Sequence, residues 1–206
     1  MNSKGYFSRH AEKWDEMTES YFGEELREEV IEKSGVEGGI FVDIGCGTGF
    51  MTLGLAKIAK RVYGIDSFKE MLKVAKENLK GFGNVEFRLG DIEKIPLKDL
   101  SVDAVFGNMV LHHAPNPKIA ISECSRVLRE GGKLVISDLD EHENEWVKEE
   151  MADLWLGFER RDVRKLFEDA GLKNIIVDCV GSCCSESFNG ERVEMSIFVA
   201  IGEKLQ

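Results

Sequence analysis

The stretch VDIGCGTGF (42–50) places Gly45, Gly47 and Gly49 at alternate positions behind an apolar run. Glycines so spaced let the backbone bend sharply and let a ligand lie against peptide groups with no side chain between. Cys46, between two of them, is read as a small packing residue. Many nucleotide-binding folds share a strand, a glycine turn and a helix, so spacing has to discriminate among them. The dinucleotide fingerprint asks for a third glycine three residues after the second, and that position here is Phe50. Asp43, two residues before Gly45, would repel a pyrophosphate. A carboxylate there suits a cation such as an ammonium.

Other polar residues fall at the ends of apolar runs. Asp66, with Ser67 beside it, closes RVYGID, where a carboxylate can accept both hydroxyls of a ribose. Asp91, in LGDIEKIPL, can take an exocyclic amine while the amide of Ile92 serves a ring nitrogen. Asn108 ends VDAVFGN, beside the glycine turn. Together these residues offer places for an ammonium, a ribose and an adenine, with no dedicated phosphate clamp. S-adenosylmethionine has those three parts, and S-adenosylhomocysteine is what remains after it gives up its methyl group.

The elements that must position these residues alternate between two periodicities. Short β-rich runs at 40–44, 61–66, 85–89, 102–109 and 133–139 are separated by segments with helical spacing at 49–59, 68–79 and 118–128. Gly81 is expected to end the second of those helices and Gly131–Gly132 the third. Such alternation requires crossover connections, hence a parallel, doubly wound α/β sheet whose ligands bind beyond the carboxyl ends of the strands. Two helices are expected in 140–171, one carrying Val147, Met151, Leu154, Trp155 and Phe158, the other Val163, Leu166, Phe167 and Ala170. Two last strands follow at 174–180 and 193–202.

Composition bounds the function. The chain has 206 residues, 43% hydrophobic and 32% charged, and a formal charge of −11, which opposes binding to phosphate backbones. Nucleic acid is therefore not an expected partner. Nine carboxylates against Lys13 and Arg27 in residues 11–32 read as a solvated helix face. No run approaches the ~20 apolar residues of a membrane span, and no apolar leader opens the chain. Five cysteines, an odd number, read as reduced thiols of a cytoplasmic protein. One domain over 1–206 is expected, monomeric or homodimeric, acting on a small molecule.

With those motifs in order, residues 38–139 resemble a class I S-adenosylmethionine-dependent methyltransferase, and most closely the group containing the ubiquinone and menaquinone methyltransferases. VDIGCGTGF, YGID, GDIEKIPL, DAVFGNMVLHH and LREGGKLVISD carry the resemblance. It implies a seven-stranded Rossmann-like sheet of order 3-2-1-4-5-7-6 with the seventh strand antiparallel. It assigns Asp43 to the methionine moiety, Gly45, Cys46, Gly47 and Gly49 to close backbone contact, Asp66 to the ribose, and Asp91 with Ile92 to adenine. FSRHAEKWDEM resembles the opening of the same group, which makes 1–36 a helical lid, 38–139 the cofactor-binding core and 140–206 the acceptor side. Tyr6, His10 and Trp14 are candidates for covering the donor.

Two features could handle an acceptor. His112 and His113 follow Asn108 in NMVLHHAPNP, and either could serve as a base with a pKa near neutrality. In VDCVGSCCSES, Cys179, Cys183 and Cys184 are expected to sit at a strand end and in a 181–190 loop on the donor side, where thiolates could hold a soft element. This part loosely resembles the arsenite methyltransferases, whose thiolates hold trivalent arsenic during methyl transfer. Those enzymes also use earlier cysteines, whereas Cys46 and Cys124 here occupy the glycine turn and a helix, so the full thiol set does not carry over. A quinol, phenol or carbon acceptor, and a catalytically silent cofactor sensor, are the alternatives.

Overall fold

The computed structural model describes residues 3–18, 23–188 and 191–205. Seven strands form one sheet: β1 (Ile40–Ile44), β2 (Arg61–Asp66), β3 (Val85–Leu89), β4 (Val102–Asn108), β5 (Leu128–Leu139), β6 (Lys173–Phe188) and β7 (Glu191–Glu203). Their order is β3-β2-β1-β4-β5-β7-β6. All neighbouring pairs are parallel except those of β7, which runs antiparallel to both β5 and β6. This is the doubly wound architecture expected from the alternating periodicities.

Helices cover both faces. On one side α3 (Glu24–Ser34) and α4 (Phe50–Ile58) bury Leu26, Val30, Met51 and Leu55 against Phe41, Phe106 and Val135 of the sheet. On the other, α6 (Pro117–Val127) and α8 (Arg160–Asp169) bury Ile121, Val127, Val163 and Phe167 against Val42, Val105 and Leu134. Alternate residues of one strand thus serve opposite cores, as strand geometry dictates. The acidic side chains of α3 point outward, Glu24, Glu25, Glu28 and Glu32 being exposed while Leu26 and Val30 are buried. Gly35, at φ +58, ends that helix in the left-handed conformation.

Several local expectations are corrected. Helix α5 (Lys69–Asn78) is capped at Leu79, and Gly81 is not left-handed. Helix α6 runs straight into β5 at Leu128, whose pairing with Val102 extends the strand backward, and Gly131 (φ +76) lies within that strand. Sheet pairing here outweighs the helix-ending signal of a glycine pair. The stripe beginning at Val147 is not one helix: α7 covers only Trp146–Glu150, and Leu154, Trp155 and Phe158 lie in an irregular return segment. Phe158 makes an isolated bridge to Asp140, and Gly157 (φ +70) approaches the Asp140 carbonyl too closely for any side chain. Finally, 181–188 is strand, not loop. Residues Cys183–Phe188 pair with Glu191–Ser196, past the point where β5 ends opposite Ile197.

Among the described residues, no helix is long and apolar enough to cross a membrane.

Candidate functional site

The carboxyl ends of β1, β2 and β4 meet at the switch point where the strand order reverses, and a cleft of about 230 Å³ opens there. Nine of the ten residues expected to hold the donor line it: Asp43, Gly45, Cys46, Gly47, Asp66, Ser67, Asp91, Ile92 and Asn108. Gly49 does not. It caps α4 in the left-handed conformation at φ +99, and a Cβ there would fall 2.5 Å from Leu79 Cδ1. Its role is to start the helix close against α5.

The glycine turn is shaped by its neighbours. The amides of Gly45 and Cys46 both donate to the Ile65 carbonyl, at 2.8 and 3.1 Å, which holds the turn onto the end of β2. Gly45 adopts φ +68, and a Cβ there would lie 2.2 Å from Val110 Cγ2. Val110 itself lines the cleft from the β4 exit loop. The absent side chain therefore allows two loops to close on one another as well as on a ligand.

Both buried carboxylates are hydrogen-bonded inside the protein. Asp43, 1% exposed, accepts from the Thr52 hydroxyl, and burial pushes its pKa up to about 7. Asp66 accepts from the amides of Gly47 at 2.9 Å and Phe68 at 2.8 Å. Burial is the larger influence and raises it to about 6, against those amides. An ionised carboxylate has about four acceptor sites, so two remain for hydroxyl groups. Asp91 is exposed and gives one oxygen to the Glu93 amide at 2.8 Å, while Asn108 accepts from the Ser137 hydroxyl at 2.7 Å. Among the described residues lining the cleft there is no lysine or arginine.

The N-terminal helices α1 (Ser3–His10) and α2 (Trp14–Thr18) close over this cleft. Thr48 donates to Asp15, whose other oxygen accepts from Asn78 at 2.9 Å, so the helical segment is tied to the glycine turn. Phe7 and Trp14 line the cleft. Phe7 packs edge-on against His113 at 4.9 Å and lies 5.3 Å from the Phe68 ring. Tyr6 and His10 stand behind them, ring centroids 4.5 Å apart, and do not line it. Sequence reasoning missed Phe7; the aromatic density of the opening segment was the available signal.

Comparison with known proteins follows the same outline. Residues 42–136 match the family model described as a methyltransferase domain. An arsenite methyltransferase of Halobacterium salinarum is 39% identical over 103 residues, covering 48% of this chain and 26% of that protein. A ubiquinone biosynthesis O-methyltransferase of Xanthomonas oryzae pv. oryzae is 35% identical over 101 residues, covering 48% and 42%. This chain thus spans less than half the length of these curated relatives. A structure titled a SAM-dependent methyltransferase from Aquifex aeolicus superposes with a TM-score of 0.75 at 25% identity, covering 96% of this chain and 98% of that one. Residues 42–136 thus carry a methyltransferase domain, and the chain has the fold of the class I S-adenosylmethionine-dependent methyltransferases.

Within this fold the two histidines have different environments. Residues Leu111–His113 form a single 3-10 turn after β4. His113 lines the cleft, whereas His112 is 4% exposed and does not line it. His112 Nδ1 lies 2.6 Å from Asp138 Oδ1; a carboxylate can only accept, so that nitrogen carries the proton. Burial pulls the His112 pKa down, but the Asp138 carboxylate, through its charge and this bond, and then Asp153 lift it to about 9. His113 goes the other way, held well below its ordinary value by burial and then by the charge of His112, against the Ala152 carbonyl. Neither is the near-neutral base expected from sequence. Asp138 and Asp153 were not singled out from sequence; Asp138 sits at the end of β5, where the strand-end rule could have found it.

The cysteines separate likewise. Cys46 and Cys124 are buried, and burial raises both thiols, Cys124 to about 12 and Cys46 well above its usual range, so neither is a thiolate. Cys179 is exposed and does not line the cleft. It belongs to β6, at the far edge of the sheet and three strand spacings from β4, roughly 14 Å at 4.8 Å each. Cys183 and Cys184 pair through their backbones with Ser196 and Met195, and their side chains lie outside the described part of the structure.

Proposed function

We propose that the protein is an S-adenosylmethionine-dependent methyltransferase that binds its donor across the glycine turn, with Asp43 toward the ammonium, Asp66 and Ser67 toward the ribose, and Asp91 with Ile92 toward the adenine. The methyl group then passes in line to a small molecule held at the cleft end formed by His113, Ala114, Pro115 and Leu154. The observation carrying this reading is a cleft lined by carboxylates and open backbone with, among the described residues, no cationic side chain. Such a site suits a positively charged adenosine compound and disfavours a phosphorylated one. The N-terminal helices act as a lid, Phe7 and Trp14 excluding water from a donor that is already reactive.

In-line displacement at a sulfonium needs alignment of nucleophile, carbon and sulfur more than it needs acid–base help. His113, held neutral, can shape the acceptor end but is a poor proton acceptor; His112, buried and protonated, is none. This favours acceptors that present a lone pair or an already ionised group. A soft acceptor held near Cys179, Cys183 and Cys184 is the second reading, favoured by the 39% identity to an arsenite methyltransferase over the shared segment. The proposed setting is cytoplasmic.

Calorimetry with S-adenosylmethionine, S-adenosylhomocysteine and a nicotinamide dinucleotide tests the cofactor. Uptake of the first two and not the third is expected, and no uptake of either by folded protein overturns the proposal. Labelled donor with arsenite, thiols, quinols and phenols under reducing conditions identifies the acceptor. Replacing Cys183 and Cys184 together by serine is expected to leave donor affinity within about 2-fold, since their strand β6 is the sheet edge, three strands away from β4 at the cleft. Abolished turnover with arsenite alone would establish the soft-acceptor reading.

The raised carboxyls also set a pH dependence. Asp43 (about 7) and Asp66 (about 6) bind protons in the folded protein that the unfolded chain has already released above its ordinary value of 3.8. Their contribution to the unliganded fold is therefore present below about pH 4 and is lost as pH rises through 6 to 7. Ligand binding has the opposite sign, because a cationic donor needs them ionised. Donor affinity is expected to rise from pH 5.5 to pH 8, with proton release on binding near pH 6.5, read from calorimetry in buffers of different ionisation enthalpy.

A further inference from the structure

We infer that His112, His113 and Asp153 form a binding site for a first-row transition-metal dication of the zinc type, at the acceptor end of the cleft. Their donor atoms converge. His112 Nε2 and His113 Nδ1 each lie 3.7 Å from the same Asp153 Oδ1, and all three atoms fall within 4.8 Å of one another. Zinc bonds of about 2.0–2.1 Å place tetrahedral ligand atoms about 3.3–3.4 Å apart, so the two distances to Asp153 need to contract by about 0.3–0.4 Å and the widest by at most about 1.5 Å. Two imidazoles and one carboxylate are the donor chemistry of such ions and leave a coordination position open.

Three further observations separate this cluster from an ordinary buried ion network. His112 Nδ1 is hydrogen-bonded to Asp138, which fixes the tautomer that presents Nε2 as the donor atom. That is the carboxylate–histidine arrangement found behind metal ligands. Asp138 is itself held rigidly, 0% exposed and accepting from the Leu111 and Leu139 amides at 2.8 Å. His113 Nδ1 is buried and has no hydrogen-bond partner. A protonated His112 between two carboxylates explains His112, Asp138 and Asp153, but leaves His113 Nδ1 facing a carboxylate with nothing between them. An ion satisfies all three.

The third ligand is also brought in deliberately. Asp153 comes from the return segment after α7, and the amides of Leu154 and Trp155 both donate to the His112 carbonyl at 3.1 Å. The Trp155 indole donates to the Ala114 carbonyl at 2.9 Å. These bonds clamp the two loops together on either side of the cluster. His113 and Leu154 reach the cleft from it. On the proposed methyl-transfer reading, a Lewis acid here would favour the ionised form of an acceptor hydroxyl or thiol, a task that neither histidine can perform alone.

The test uses the full chain with Cys179→Ser, Cys183→Ser and Cys184→Ser, so that thiols do not compete for metal. Cobalt(II) titration followed by visible absorption, and zinc competition against a chromophoric chelator, should give one saturable equivalent with bands of a low-coordinate site. Asp153→Asn and His113→Gln should each weaken binding more than 100-fold, and Asp138→Asn, which touches no metal, by about 10–100-fold. S-adenosylhomocysteine binding and thermal unfolding, measured on the same samples, report whether each variant is folded. Absence of saturable binding by protein that still binds S-adenosylhomocysteine overturns the inference. So does binding that Asp153→Asn and Asp138→Asn leave unchanged. Metal uptake without S-adenosylhomocysteine uptake would uphold the metal site and sink the donor assignment instead.

Discussion

Replacing Asp66 by alanine is expected to weaken S-adenosylhomocysteine binding by at least about 100-fold. Hydrogen bonds to a charged group contribute about 1.5–3 kcal/mol each, two are proposed to the ribose, and 1.4 kcal/mol is a factor of ten. The substitution also removes the acceptor for the Gly47 and Phe68 amides, which lie 2.9 and 2.8 Å from its oxygens. The glycine turn would then lose its tie to the end of β2 on the ligand side. Asp66→Asn separates the two effects. The amide oxygen can still accept from one backbone N–H, so the turn should hold better than in the alanine variant while ribose binding falls by a similar factor. Calorimetry on both variants, with thermal unfolding as the control, decides. Undiminished affinity in Asp66→Asn would remove this residue from the donor site.

The second large effect is expected at Gly45. A Cβ at this position meets Val110 Cγ2 at 2.2 Å and Val110 Cβ at 2.8 Å, with the backbone at φ +68. Left-handed backbone costs an ordinary residue roughly 1–2 kcal/mol, and overpacking adds about 1–3 kcal/mol. Gly45→Ala is therefore expected to lose about 2–5 kcal/mol of stability and, because Val110 and Gly45 both line the cleft, donor affinity as well. Gly45→Ala combined with Val110→Ala relieves the contact but not the backbone strain. It should recover part of the stability, measurable by chemical denaturation. If the double variant is no more stable than the single one, the steric account is wrong and the backbone conformation carries the whole cost.

The proposed donor site and the proposed metal site lie in one cleft and respond to pH in the same direction. A cationic donor bound as proposed would need Asp43 and Asp66 ionised, and their pKa values are raised to about 7 and 6. A metal must displace the proton from His112, held at about 9, so both ligands are favoured by the same alkaline shift for separate reasons.

Much of this protein follows from local sequence. Alternation of period-two and helical segments sufficed for the parallel sheet, because βαβ crossovers leave few other arrangements. The strand order and the antiparallel last strand came from the family resemblance. Acids and glycines at strand ends located the cleft, because ligands of such sheets collect beyond the carboxyl ends. The side-chain partners did not follow. Asp138 and Asp153 are separated in the chain from His112 by 26 and 41 positions, and only β4–β5 pairing and the clamp of 154–155 onto the 112 carbonyl bring them together. That contact lifts the pKa of one histidine and helps to depress that of its neighbour, although the sequence presents them as an identical pair. Likewise, spacing alone groups Cys179, Cys183 and Cys184, but pairing with β7 carries their strand to the far edge of the sheet. The sequence by itself determined the fold class and where the cleft lies, since both depend on periodicity and strand ends. Which side chains share charge and protons was decided by tertiary structure, since burial and long-range pairing set those energies.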